Sequence, residues 1–245
     1  MPNDYFQFKQ FLVKQGRSAF KVGTDGVLLG AWASVENAGS ILDVGTGTGL
    51  IALMLAQRTA AGIVDAGIHI VALEIEKSSC EQAMDNVRMS PWNQKIKVIN
   101  RSFQDYCETE PAKFDLIVSN PPFFSDSRKP DKPGKEISRH DTLLGLGEMV
   151  SGVGKLLTPE GKFCVILPVE ESNKLQKLAG ENGLHLYRIC RVSPSTNLPV
   201  KRNLLEFRRK PVETVEESEM AIERDRRHDY TDAYRELTQD FYLAF

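Results

Sequence analysis

The chain has 245 residues, 41% of them hydrophobic and 26% charged, which is enough apolar mass for a sizeable core and too little charge bias for disorder. Its 18 glycines and 12 prolines are scattered, and no apolar stretch nears the roughly 18 residues of a membrane span, so fibrous and membrane-spanning readings are excluded. A formal net charge of −2 speaks neither for nor against a polyanionic partner.

Near the start, YFQFKQFLV alternates apolar with polar residues, which predicts a strand or one ribbon of a hairpin. The opening MPNDYFQFKQ has no basic segment leading into an apolar one, so no signal peptide and a cytoplasmic location are expected. From Ser40 the pattern changes to apolar runs alternating with amphipathic segments. ILDVG (41–45) reads as a buried strand, GLIALMLAQR (49–58) as a helix, HIVALEIE (69–76) as a strand and Lys77 to Met89 as a helix. KIKVIN (95–100) and FDLIVSN (114–120) are strands, Leu143 to Leu157 a helix, GKFCVILP (161–168) a strand and Glu170 to Asn182 a helix. HLYRICRVSP (185–194) and RNLLEFRRK (202–210) follow as a closely spaced antiparallel pair. Such alternation needs crossover connections, so the expected fold is α/β: a mostly parallel seven-stranded sheet with an antiparallel terminal hairpin and helices on both faces.

Cys80, Cys107, Cys164 and Cys190 form no CxxC pair, and His69, His140, His185 and His228 no HExxH, so reduced thiols and no metal site are expected. The charge is unevenly spread. Arg188 to Lys210 holds seven bases and one acid, while residues 212–245 hold four bases and ten acids. These are either two solvated faces or a phosphate-facing surface beside an acidic tail, and composition does not choose. Between Phe124 and Asp141, SDSRKPDKPGKEISRH follows a strand end, where open parallel sheets bind ligands. It is either a lid or substrate contact, or a plain surface loop.

The chemistry is concentrated at two strand ends. Asp43-Val44-Gly45-Thr46-Gly47-Thr48-Gly49 lies where the first core strand turns into a helix; glycines permit positive φ and let a ligand approach the backbone, and the helix start offers free N–H donors. A dinucleotide fingerprint needs G-x-G-x-x-G/A, but counted from Gly45 its last position is Leu50. S-adenosylmethionine brings no diphosphate; Asp43 suits its amino group, and Glu74, 31 residues on at the end of the next strand, suits its ribose hydroxyls. At the second strand end stand Asn120-Pro121-Pro122-Phe123. An exocyclic amine is a poor nucleophile because its lone pair is delocalised. The Asn120 side-chain oxygen and the Pro121 carbonyl can each accept one amine N–H and aim the nitrogen, while Phe123 stacks on the planar target.

DVGTGTG, Glu74 and NPPF in this order resemble a class I S-adenosylmethionine-dependent methyltransferase of the amino-methylating kind. More narrowly, FKQFLV (8–13), KVGTDGVLLGAWA (21–33), ALMLAQR (52–58), NPPF with Phe124 after it, and the final QDFYLAF resemble the bacterial tRNA adenine N(6)-methyltransferase family that modifies the adenine 3′ of the anticodon in a valine tRNA. The resemblance implies that Lys21 to Gly26, with Lys21, Gly23 and Thr24 among them, border the cofactor pocket, that Asp43, Gly45 and Gly47 hold its amino acid end, and that Glu74 holds the ribose; Gly49 is also expected at the cofactor. Many such enzymes place an acid after the third strand to contact the cofactor adenine; the matching position here is Ser102, with Phe103 beside it. Asn120, Pro121 and Phe123 are the expected catalytic residues, Asn120 also bordering the cofactor, and Phe123, Phe124, Arg139, Lys201 and Arg202 the expected RNA contacts.

The expected protein is thus a tRNA methyltransferase using S-adenosylmethionine, without metal or membrane, monomeric, and one domain over 1–245: an N-terminal segment 1–32, a core 40–210 and an acidic extension 211–245. Two alternatives stay open, an amino methyltransferase acting on ribosomal RNA guanine or on protein glutamine, and a binding module without activity.

Overall fold

In the computed structural model of the chain, the described residues are 3–18, 20–60, 67–109, 112–122 and 144–245. In chain order they form β1 (Tyr5–Gln7), β2 (Leu12–Lys14), α1 (Thr24–Trp32), β3 (Ser40–Val44), α2 (Leu50–Ala60), β4 (His69–Glu74), α3 (Lys77–Met89), β5 (Ile96–Asn100) and α4 (Phe103–Thr109). There follow β6 (Phe114–Ser119), α5 (Leu146–Leu156), β7 (Leu157–Pro168), α6 (Val169–Glu181), β8 (His185–Ser195), β9 (Arg202–Arg208), β10 (Glu216–Glu223) and α7 (Asp232–Thr238).

The main sheet has the order β10-β8-β9-β7-β6-β3-β4-β5, and β9 is the strand that runs against its neighbours β7 and β8. β3 is buried at all its positions because it lies mid-sheet with a helix layer on each face, which is why ILDV carries no polar alternation apart from Asp43. One face packs against α1, α2 and the chain's C-terminal segment, and the other against α4, α5 and α6. The chain leaves β3 for β4 on one side and later returns to β6 on the other. The strand order therefore reverses at β3, and the crevice at the carboxyl ends of β6, β3 and β4 is where such a sheet can receive a ligand.

α1, not resolved as an element in the sequence, is set against that crevice by two small residues. A Cβ on Gly30 would meet Met54 Sδ at 2.7 Å and one on Gly26 would meet Leu50 Cδ2 at 3.0 Å, so α1 lies closer to α2 than larger residues allow. The short hairpin β1–β2 is anchored from the far end of the chain. Lys9 Nζ donates to the main-chain oxygens of Gln239 and Phe245, each at 2.7 Å, and Phe6 and Phe8 contact the ring of Tyr242.

The sheet has one strand more than expected among the described residues. Residues 216–223, read in sequence as part of an acidic extension, pair in parallel with β8. Met220 is the one buried residue of β10, so its hydrophobic signal is weak. Instead, Glu217 meets Arg191 of β8 at 2.8 Å, and the acids keep this edge strand soluble. Cys80, Cys107, Cys164 and Cys190 are free thiols; burial pushes Cys164 up to about 12. No helix of the described residues is long and apolar enough to cross a membrane.

Candidate active site

At the carboxyl ends of β6, β3 and β4 lies a cleft of about 770 Å³, within the usual range for a cofactor-sized ligand. Its floor is the turn after β3. Gly45 and Gly47 take φ of +73° and +58°, the left-handed region that residues with a Cβ avoid, and a Cβ at either would project into open space. That space is a cradle in which a ligand can lie against bare backbone. Gly49, with φ of +84°, lies beneath it against Ala83 rather than on the cleft wall.

Two carboxylates sit at this floor with different duties. Glu74, at the end of β4, lines the cleft while its Oε2 accepts from Gly47 N–H at 2.8 Å and its Oε1 from Glu76 N–H at 2.9 Å. Each oxygen retains a lone pair, so a diol can add to a carboxylate already fixed in place. Burial raises its pKa, and the N–H donors oppose that rise. Asp43 does not reach the cleft, contrary to the expected role at the cofactor's amino group. It is wholly buried, and its Oδ2 accepts from Thr46 Oγ1 at 2.6 Å and Ala52 N–H at 3.2 Å, tying the turn to α2. Its Oδ1 has no partner, and burial pushes the carboxyl up to about 7. The residue type that suits a cofactor amine here shapes the turn instead.

The opposite wall comes from β6 and α1. Ser119 Oγ donates to Val44 O at 3.0 Å, which locks the end of β6 beside the glycine turn and brings Asn120 and Pro121 to the cleft. Asn120 Nδ2 stands 3.8 Å from where a Gly26 Cβ would be, an ordinary contact distance, so α1 packs directly beside the asparagine. Lys21, Gly23 and Thr24 line the cleft at the start of α1. Phe123, Phe124 and Arg139, with the basic stretch around them, lie outside the described residues.

Ser102 and Phe103 line the cleft beyond Glu74. Ser102 Oγ accepts from Asp105 N–H at 3.0 Å and so caps α4, leaving its own hydroxyl proton to donate. Phe103 is less available than expected. Its ring is buried, and a Cβ on Gly152 would collide with it, so it packs on α5 instead of offering a whole face. The sequence did not single out Ile75 and Phe20, both apolar, exposed and lining the cleft; Ile75 offered a signal, as the apolar residue just past the strand-end acid. Arg101 was also missed there, while Asp25 falls within the expected stretch Lys21 to Gly26.

The basic run at 188–210 is largely consumed within the fold. Arg188 and Arg208 both hold the fully buried Glu206, at 3.0 and 2.6 Å. Burial works to raise the Glu206 pKa, but donors from Ser34 and Arg208 and the charges of Arg188 and Arg208 hold it below the ordinary carboxylate range. Arg191 pairs with Glu217, Lys210 with Glu160 at 2.5 Å, and Arg209 donates to the Gly154 and Leu157 carbonyls. Arg202, expected on RNA, pairs with Asp25 of α1 at 2.8 Å. Lys201 is exposed. Among the described residues no group of His, Cys, Asp and Glu could hold a metal ion.

The chain matches the methyltransferase small domain family over residues 23–167. It is similar along almost its whole length to proteins named tRNA1(Val) (adenine(37)-N6)-methyltransferase. One from Parabacteroides distasonis is 45% identical and covers 99% of both chains, and one from Trichodesmium erythraeum is 43% identical over 100% of both. Among solved structures, a predicted O-methyltransferase from Agrobacterium tumefaciens superposes with a TM-score of 0.64 at 15% identity, covering 89% of this chain and 96% of its own. A ribosomal-protein methylase from Lactobacillus delbrueckii subsp. bulgaricus gives 0.56 at 19% identity, covering 81% and 84%. These two likenesses establish the fold.

Proposed function

Since this chain belongs to the tRNA1(Val) (adenine(37)-N6)-methyltransferase family, we propose that the cleft at the ends of β6, β3 and β4 is where an adenine amine of that tRNA and S-adenosylmethionine meet. The protein is an S-adenosylmethionine-dependent methyltransferase acting on adenine N6 in tRNA. One observation carries the residue assignment: the open glycine cradle, the Glu74 carboxylate and the Asn120-Pro121 pair face a single cleft of about 770 Å³.

The residues fit the cofactor in size and in donor set. Bound there, S-adenosylmethionine supplies an electrophilic methyl on a sulfonium. The Gly45 and Gly47 backbone admits its amino acid end, Glu74 accepts from the ribose hydroxyls, and Ile75 and Ser102 border the adenine. Asn120 Oδ1 and the Pro121 carbonyl each accept one N–H of the target amine, which points the nitrogen at the methyl and restrains the encounter to one geometry. The bound cofactor would supply its methyl to that nitrogen with the sulfur as leaving group, and the surplus amine proton would pass to water. No side chain needs to act as general base. Phe123 stacks on the flipped adenine and Phe124 flanks it, with Arg139 and Lys201 on nearby phosphates. We place this chemistry in one methyltransferase unit over residues 1–245, working as a cytoplasmic monomer.

The test is transfer from methyl-labelled S-adenosylmethionine by the purified protein to unmodified tRNA, ribosomal RNA and a glutamine-bearing protein substrate, with the products digested and weighed. Label in N6-methyladenosine of the tRNA alone supports this reading. Label in guanine or glutamine replaces it with one of the other amino acceptors, and no transfer leaves a binding module.

A further inference from the structure

A second cavity, of about 390 Å³, opens on the α6 face of the sheet beside β8 and β9, outside the cleft described above. Its floor is apolar, from Ile189 and Val200, and its walls carry carboxamides, from Asn173 and Gln176 of α6 and Asn203 of β9. Asn203 is 4% exposed, and hydrogen bonds fix the sense of its amide. Ser172 Oγ gives its proton to Val169 O at 2.8 Å, so it can only accept from Asn203 Nδ2, at 2.7 Å. This leaves Asn203 Oδ1 as a buried acceptor without a partner. A buried carbonyl in that state calls for a donor from outside the fold.

We infer that this cavity is a nucleobase subsite, which takes a base flanking the target adenine of the same tRNA. The inference rests on the tRNA-methylation reading and extends it. An apolar floor supports the face of a planar ring, and carboxamides, each both donor and acceptor, suit base edges. Arg191 lines the same cavity and pairs with Glu217 at its rim at 2.8 Å, so no unpaired cation waits there for a phosphate, and exposed Lys201 follows Val200 in the chain outside it. Spacing allows one strand to serve both sites. Asn203 pairs in register with Leu167 of β7, and β7 neighbours β6, whose end carries Asn120. Two strand spacings amount to about 10 Å, a span of one to two extended nucleotides. The Asp25–Arg202 pair joins the cleft wall to the strand that carries Asn203.

The experiment uses the full chain with an anticodon stem-loop RNA in which nucleotides flanking the target adenine are made abasic in turn. For wild type, removal of the bound base raises KM by about tenfold, the scale of one or two missing base-edge hydrogen bonds, with kcat unchanged. Asn173→Ala and Gln176→Ala, at the cavity's accessible wall, raise KM on the intact RNA and show no further rise on that abasic RNA. Asn203→Leu, which removes the buried acceptor, does the same if it folds, and the α6 variants carry the test if it does not. Cofactor affinity stays at its wild-type value in all three. Equal sensitivity of variants and wild type to every abasic position overturns the subsite while leaving tRNA methylation standing. An RNA left unmethylated by wild type removes the tRNA reading and the subsite with it.

Discussion

The turn after β3 and the β8–β9 pair are both dense in polar groups, yet one turns its groups outward and the other inward. In the turn, left-handed glycines hold backbone open to a cleft and fix Glu74 through Gly47 N–H, so its polarity is available to a ligand. In the strand pair, Arg188 and Arg208 converge on Glu206, Arg191 on Glu217 and Arg202 on Asp25, so most of the positive charge holds the sheet to α1 and to β10. A run of like charge marks a binding face only when its counter-charges are not supplied by the rest of the chain.

The sharpest way to break this contrast is at the outward-facing side. Asn120→Ala should lower kcat by about a hundredfold or more, because the amine loses one of its two fixed acceptors and its aim, while calorimetry finds cofactor affinity near wild type. A variant of normal kcat would take Asn120 out of the reaction. On the inward-facing side, Glu206→Ala should cost about 3 kcal/mol of stability in denaturant melts, since two arginines are left around an empty buried site. Because the Glu206 pKa is lowered in the fold, its contribution is present above the ordinary carboxylate range and is lost as pH falls through that lowered value. Glu206→Ala should therefore narrow its deficit on wild type in acid, and a deficit constant with pH would deny the ionised form its role.

Glu74→Ala should weaken S-adenosylmethionine binding by about tenfold or more, because the ribose hydroxyls are deprived of their charged acceptor. Unchanged affinity would move the ribose elsewhere. A smaller effect separates the two neighbours at the start of β9. Lys201→Glu should reduce tRNA affinity and flatten its salt dependence by about one unit of log–log slope for each phosphate no longer neutralised, whereas Arg202→Met should leave that slope as it is. Equal flattening in both would put Arg202 on a phosphate and dissolve the contrast. A separate effect lies under the turn. With Asp43 raised to about 7 from 3.8, stability favoured by its neutral form is full below the lower value and lost as pH rises through the higher one. Asp43→Asn should flatten the fall in Tm across that window, and an unchanged profile would show the carboxyl to be ionised throughout.

These contrasts also explain what was legible from the amino acids. The central strands and DVGTGTG, Glu74 and Asn120 follow from local rules: burial on both faces removes alternation, and left-handed turns demand glycine. Their strand ends converge because parallel strands joined by right-handed crossovers leave few topologies. β10 was hidden because its partners are charges on β8, with Met220 its one buried residue. The duties of Asp43 and Arg202 were hidden for a related reason. Each is a residue type that suits a ligand, and its engagement depends on where Thr46, Ala52 and Asp25 stand in space. Ile75 was within reach, since the position after a strand-end acid is set by the strand itself.

The central claim is that the cleft transfers a methyl to an adenine amine held at the end of β6. Its most direct test is nucleoside mass spectrometry of valine tRNA from cells lacking the protein, then supplied with wild type or with Asn120→Ala. The account predicts that N6-methyladenosine disappears from the position 3′ of the anticodon, returns with wild type and stays absent with the variant. Methylation that persists without the protein, or that the variant restores in full, would contradict it.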